Sequence, residues 1–255
     1  MFELIDSHSH FDVAEFDADR DAALARARDA GVTRQILPAI GLSGFEKLRA
    51  LCAAERGLFP GYGLHPLFLS EHKIEHLDEL AKWLAREKPV AVGECGLDFY
   101  VPGLDADTQR IYFTRQLELA REYDLPVILH ARRALDDVTA AVRRTGKLRG
   151  VVHSFSGSPE QAQQLWKLGF HIGIGGPVTY ERAHRLRSIV ATMPLEFLLL
   201  ETDSPDQPLC GHQGHRNEPA RLVDVCETIA RLRGVETQEI ADATTRNCER
   251  LFGLH

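Results

Sequence analysis

Phe2-Glu3-Leu4-Ile5-Asp6-Ser7-His8-Ser9-His10 opens the chain as a short apolar run that ends in two histidines one residue apart. In a β-strand alternate side chains share a face, so this spacing projects both imidazoles the same way from the strand's C-terminal end. Neutral imidazole binds divalent metals well, and two at this spacing supply neighbouring corners of a coordination sphere. The pair alone recurs by chance. Its meaning depends on what the other apolar runs carry at their ends.

Seven further runs rich in branched residues lie at roughly 33–39, 58–64, 90–93, 126–129, 149–152, 170–174 and 196–200. Between them lie longer stretches of helical character. Residues 17–30 (DADRDAALARARDA) stop at Gly31, and 105–124 form a second stretch. A third, 158–168, opens with Ser158 as N-cap and Pro159 at the first helical position. Eight strands separated by helices predict parallel βαβ units. At 255 residues the chain also has the length of an α/β fold of one kind, the (β/α)8 TIM barrel. No linker, charge block or low-complexity tract divides residues 1–255, so a single domain is expected.

Composition narrows the function classes. A hydrophobic content of 44% with 26% charged residues suits a soluble globular chain with a sizeable core. No apolar stretch is long enough to span a bilayer, and the first residues lack a signal-peptide pattern. The five cysteines, Cys52, Cys95, Cys210, Cys226 and Cys248, are odd in number and contain no CxxC. Free thiols in a reducing cytoplasm are therefore expected. A formal net charge of -7 disfavours gripping a long duplex, yet leaves room for a local basic mouth that admits one strand end.

A barrel places catalytic residues at the C-terminal ends of its strands. His8 and His10 follow the first run, His65 the third, Glu94 the fourth, His130 the fifth, His153 the sixth and Asp203 the eighth. Only the second and seventh end without a ligand-type residue. Four of these histidines and the two carboxylates, converging on one mouth, are too many for one zinc and suit a binuclear site. Such donors accommodate zinc, manganese, iron or magnesium, and a carboxylate such as Glu94 can bridge two cations.

Taken together, HSHFD, GECGLDFY, HARRA, HSFSG, LLLETDSP and RNEP resemble the TatD family of metal-dependent deoxyribonucleases, within the amidohydrolase-like barrels. The likeness runs from Asp6 to about Pro219. It implies that His8, His10, Glu94, His130, His153 and Asp203 hold two divalent ions per chain, with Glu94 bridging them. Residues 206–215 (DQPLCGHQGH) depart from the commonest pattern of the family and resemble its YjjV-like branch. This loop bears on substrate preference, and His212 and His215 read as accessory ligands or as solvated loop residues.

Several other residues have two readings. Asp6, Asp98 and Glu201 are candidates for supporting the ligands, or for local pairing and capping. Arg132 and His65 are candidates to steady a phosphate, or a surface salt bridge and a structural histidine. Asn217 reads as a helix N-cap, and Phe99-Tyr100 as rim packing or a base-stacking platform. The expected activity is metal-dependent hydrolysis of phosphodiesters at DNA ends or in single strands. Asp203 serves there as both ligand and proton acceptor. Two rivals remain. One is a lactonase, amidase or organophosphate hydrolase on the same metals, and the other a non-catalytic metal-binding partner protein. No obligate protein partner is inferred.

Overall fold

Eight strands run parallel, each hydrogen-bonded to the next in chain order. They are β1 (Leu4–Asp6), β2 (Val32–Pro38), β3 (Leu58–Tyr62), β4 (Ala91–Asp98), β5 (Val127–Arg132), β6 (Gly150–Val152), β7 (Phe170–Ile174) and β8 (Leu198–Leu200). The computed structural model describes residues 3–254, so Phe2, where the first run begins, lies outside it. Ser7 N–H donates to the Leu200 carbonyl at 2.9 Å and Asp203 N–H to the His8 carbonyl at 2.9 Å, drawing the last strand against the first. The result is the expected TIM barrel, in one domain.

Helices α1 (Arg20–Asp29), α2 (Phe45–Ala54), α3 (His76–Glu87), α4 (Ala106–Glu122), α5 (Leu135–Thr145), α6 (Pro159–Lys167) and α7 (His184–Thr192) alternate with the strands. After β8 come α8 (Leu222–Arg233) and α9 (Thr237–Phe252). The sequence signals act locally. Ser158 and Gln161 form a full capping box at α6. Helix α1 starts at Arg20, three residues later than its composition suggests, because Asp19 has non-helical backbone angles and its carboxylate is taken by Arg216 and Arg26. All five cysteines are free, as expected. No helix among the described residues is long and apolar enough to cross a membrane.

The barrel interior is divided along its axis. Toward the N-terminal ends of the strands, Ile5, Ile36, Ala91, Ile128, Val151 and Leu199 form an apolar cluster closed by Cys248, Leu251 and Phe252 of α9. A larger apolar layer fills the space between strands and helices. Burial of these layers supplies most of the drive to fold. It also leaves one end of the interior, the C-terminal mouth, free to carry polar groups.

Candidate metal centre

Glu94 is the hub of that mouth. Its strand is irregular: Val92 pairs with Val127 but Cys95 with Leu129, so β4 spends three residues where β5 spends two. Such a bulge re-aims a side chain, and here it turns Glu94 inward. Glycine makes the bulge possible. A Cβ on Gly93, whose φ is +157°, would lie 2.7 Å from the Ile128 Cβ, and one on Gly96 would lie 2.0 Å from the His130 carbonyl oxygen. Glu94 and His130 therefore sit within strands and not beyond them, since β4 and β5 stay paired out to Asp98 and Arg132.

The two oxygens of Glu94 face different groups. Oε2 lies 3.2 Å from His8 Nε2 and 3.4 Å from His10 Nε2. Asp203 Oδ1 completes that set, 3.5 Å from His8 Nε2 and 3.6 Å from His10 Nε2. Oε1 lies 2.8 Å from His153 Nε2, 3.0 Å from His130 Nδ1 and 2.9 Å from His65 Nε2. Ring nitrogens of His8 and His10 stand 3.3 Å apart, as do those of His130 and His153. So many donors turned on one carboxylate are what divalent cations need. The groups His8, His10, Glu94 and His65, Glu94, His130 are each close enough to share an ion.

Hydrogen bonds decide which nitrogens can give a lone pair. His130 Nε2 lies 2.9 Å from Asp98 Oδ2, and Asp98 also accepts from Tyr100 and Val101 N–H. Burial would raise the Asp98 carboxyl, but the His130 hydrogen bond and the two backbone donors outweigh it and hold it near about 2. An ionised carboxylate only accepts, so Nε2 of His130 carries a hydrogen, and Nδ1, facing Glu94, is the nitrogen this ring can give to a cation. His65 is wired the opposite way. Leu67 N–H donates to its Nδ1 at 3.1 Å, which leaves the hydrogen on Nε2. Burial keeps this ring neutral, pushing it down to about 4 against the opposing charge of Glu94. His65 thus keeps an N–H toward the centre, where His130 turns the nitrogen that it can give to a cation.

The other imidazoles respond to the carboxylates. Burial alone would lower His10 and His153. The hydrogen bonds and charges of Glu94, with Asp203, reverse this and lift them to about 9 and about 10. His8 goes the other way, held well below its usual value by burial and by the nearby His153. Burial would raise the Glu94 carboxyl, yet the charge of His153 and the hydrogen bond from His10 keep it well below the usual carboxylate range. Burial pushes the Asp203 carboxyl up.

Around these groups is a buried polar frame. Asp6 accepts from His8 N–H, Thr202 N–H and Thr202 Oγ1, stapling the end of β1 to the end of β8. Burial lifts its carboxyl to about 7 against those bonds. Asp203 has a left-handed backbone at φ +53°, and Gln207 Nε2 donates to its Oδ2 at 2.5 Å. Glu201 is buried and accepts from Ser154 N–H at 2.6 Å. Asn217 is not a helix N-cap: its side chain donates to the carbonyls of Thr202 and Gln207, tying the long loop after β8 to the barrel, and Glu218 precedes the next helical turn. Two side chains went unread in the sequence. On the inner face of α4, Gln109 brackets the Asp98 backbone and Gln116 that of Leu64. Glutamines seven apart on an otherwise apolar helix stripe were the available signal.

The remaining candidates stand apart from the cluster. Arg132 is exposed and its guanidinium lies 3.8 Å from the centre of the Tyr100 ring, on the rim. Phe99 packs against the core while Tyr100 is 46% exposed, so the pair is split between the two readings. His212 faces Thr179, Leu209 and Asp224, away from Glu94, and His215 is exposed.

A parallel barrel with histidines and carboxylates gathered at its C-terminal mouth is the architecture of a metal-dependent hydrolase. The family model described as TatD related DNase matches residues 5–253, and the chain belongs to the TatD family. It is 43% identical over 253 residues to the uncharacterized metal-dependent hydrolase YjjV of Escherichia coli K12, covering 98% of each chain. The crystal structure of that TatD homologue superposes with a TM-score of 0.95 at 41% identity, over 99% of this chain and 98% of the other. A Pantoea protein named 3'-5' ssDNA/RNA exonuclease TatD is 37% identical, over 94% of this chain and 95% of its own.

Proposed function

We propose that this chain is a phosphodiesterase acting on DNA ends or single strands with two divalent ions, in the cytoplasm. One observation carries the reading: the two oxygens of Glu94 face separate donor sets, His8, His10 and Asp203 on one side and His130 and His153 on the other. Two divalent ions would fit this arrangement, with Glu94 offering one oxygen to each side. The exonuclease name of the Pantoea relative supports the choice of nucleic acid. Zinc, manganese, iron and magnesium all accept imidazole and carboxylate donors.

When bound, the ions supply an activated water near neutral pH and polarise a phosphoryl oxygen. The protein's part follows from its hydrogen bonds. Asp98 orients the His130 ring through Nε2 and leaves Nδ1 to coordinate. Asp203, held by Gln207 and raised by burial, takes the proton of the attacking water at a carboxylate oxygen. His65 points a fixed Nε2–H into the centre, suited to a phosphate oxygen and unsuited to a metal.

The test pairs elemental analysis of reconstituted protein with turnover on single-stranded DNA, chromogenic phosphodiesters, lactones and amides. Metal-dependent cleavage of phosphodiesters in preference to the other esters is the expected result. Preference for lactones or amides would keep the metal centre and overturn the substrate. A stoichiometric protein partner, captured without metal by a hydrolytically inactive chain, would overturn both.

A further inference from the structure

Beside the metal centre a second cavity of about 350 Å³ opens on the same mouth, between the loops that follow β6 and β7. Ser154, Ser156, Gly175, Arg182, Arg185 and Gln207 are among the residues that line it, and none of its lining residues is a carboxylate. The contrast with its neighbour is sharp, because the cavity over the cluster is lined by Glu15, Glu94, Asp203 and Asp206. A single side chain joins the two. Gln207 Nε2 donates to Asp203 Oδ2 at the metal centre and to Ser154 Oγ on the wall of the second cavity.

The arginines of this cavity are free of acidic partners. Arg185 donates only to the Ser156 carbonyl, at 2.8 Å, and Arg182 lies against the Tyr180 ring at 5.0 Å. Neither has a carboxylate oxygen within 4.0 Å among the described residues. Across the mouth three arginines are neutralised: Arg20 by Asp17 at 2.6 Å, Arg26 by Glu218 at 2.7 Å and Arg216 by Asp19 at 2.7 Å. In a chain of net charge -7, two uncompensated guanidiniums facing a carboxylate-free hollow make a local anion site. Guanidinium is also the group best shaped to hold phosphate oxygens in pairs.

The geometry points to a subsite for the phosphate next along the strand from the one being cleaved, so that Arg182 and Arg185 select polynucleotide over isolated phosphodiester. This rests on the phosphodiesterase reading above and adds the chain length of the substrate to it. An ester with one phosphate fills only the metal centre, whereas a strand also fills the second cavity.

The test compares metal-loaded protein with its Arg182→Ala/Arg185→Ala variant on two substrates, a single-stranded oligodeoxynucleotide and bis(p-nitrophenyl) phosphate. The ratio of kcat/KM for the oligonucleotide to that for the small ester should fall about tenfold, as a lost charge-assisted hydrogen bond implies, and the loss should appear in KM. The salt dependence of the oligonucleotide reaction should flatten by about 0.7 in log–log slope for one phosphate contact removed. The Arg182→Lys/Arg185→Lys variant should restore the salt slope. An unchanged ratio, or equal losses on both substrates, overturns the subsite and leaves the phosphodiesterase reading standing. Wild-type protein that cleaves lactones or amides but neither phosphodiester overturns that reading, and the subsite with it.

Discussion

The floor of the barrel mouth and its rim on the β6–β7 side are built on opposite terms. On the floor His8, Glu94 and His153 are almost wholly buried, His8 and His153 just past the ends of β1 and β6 and Glu94 within β4, whose register with β5 turns it inward. On the rim Arg182 and Arg185 are exposed, one on a loop and one at a helix start, and pair with no carboxylate among the described residues. The floor spends buried charge, which is tolerable only where cations or hydrogen bonds answer it. The rim keeps its charge in solvent, where it costs little and can be altered without disturbing the fold. On the proposed function, substitutions should sort accordingly: floor changes act on metal and turnover, rim changes on KM.

The largest expected effect is that of Glu94→Gln. Removing the shared charge should lower metal content and activity together, by more than the 10–100-fold typical of losing a group that merely supports a ligand. Elemental analysis and turnover on the same preparation will show it. Asp203→Asn should behave differently. It keeps an oxygen near the centre but removes the proton acceptor, so kcat should drop roughly 10²-fold while most of the metal stays. A variant that keeps both metal and near-normal kcat would assign the base to another group.

Asp98→Asn acts one step out, through His130. Losing the ionised acceptor frees the ring to change tautomer, and metal affinity should weaken by about 10–100-fold. A competition titration with a chelator would measure it. The same change in affinity from Asp136→Asn, an exposed carboxylate on α5, would erase the distinction between floor and surroundings.

The smallest effect is one of pH, and its sign depends on metal. Without metal, His10 and His153 are raised to about 9 and about 10 from the usual 6.5. A group raised in the folded state stabilises fully below its unfolded value, and that contribution is lost as pH climbs through the folded one. The metal-free protein should therefore lose Tm between pH 7 and 10. Metal binding requires the same rings to be neutral, so it releases protons, and occupancy and hydrolysis should fall together on acidification. Thermal melts of both forms across that range would show the two trends diverging.

What the sequence revealed follows the same division. The floor is legible because a strand imposes a period of two and a barrel gathers strand ends, so the sequence alone assigns distant histidines to one mouth. The inward turn of Glu94 was not, since it depends on a bulge around Gly93 that no local pattern announces. Nor was the role of His65, which turns on one backbone hydrogen bond from Leu67 to Nδ1. The rim was the least legible part. Arg182 and Arg185 lie on one loop and helix start with no periodicity, and their freedom from carboxylates is a property of the assembled mouth. Arg132, close in sequence to His130, was the more visible arginine, yet it stacks on Tyr100.

The central claim is that Glu94 joins two cation sites, and a direct test is to titrate metal-free protein with Mn²⁺ or Zn²⁺ by equilibrium dialysis, for wild type and Glu94→Gln side by side. Wild type should saturate at about two ions per chain, as binuclear hydrolysis requires, and Glu94→Gln should weaken both. Saturation at one ion, or a Glu94→Gln variant that binds like wild type, would contradict the account.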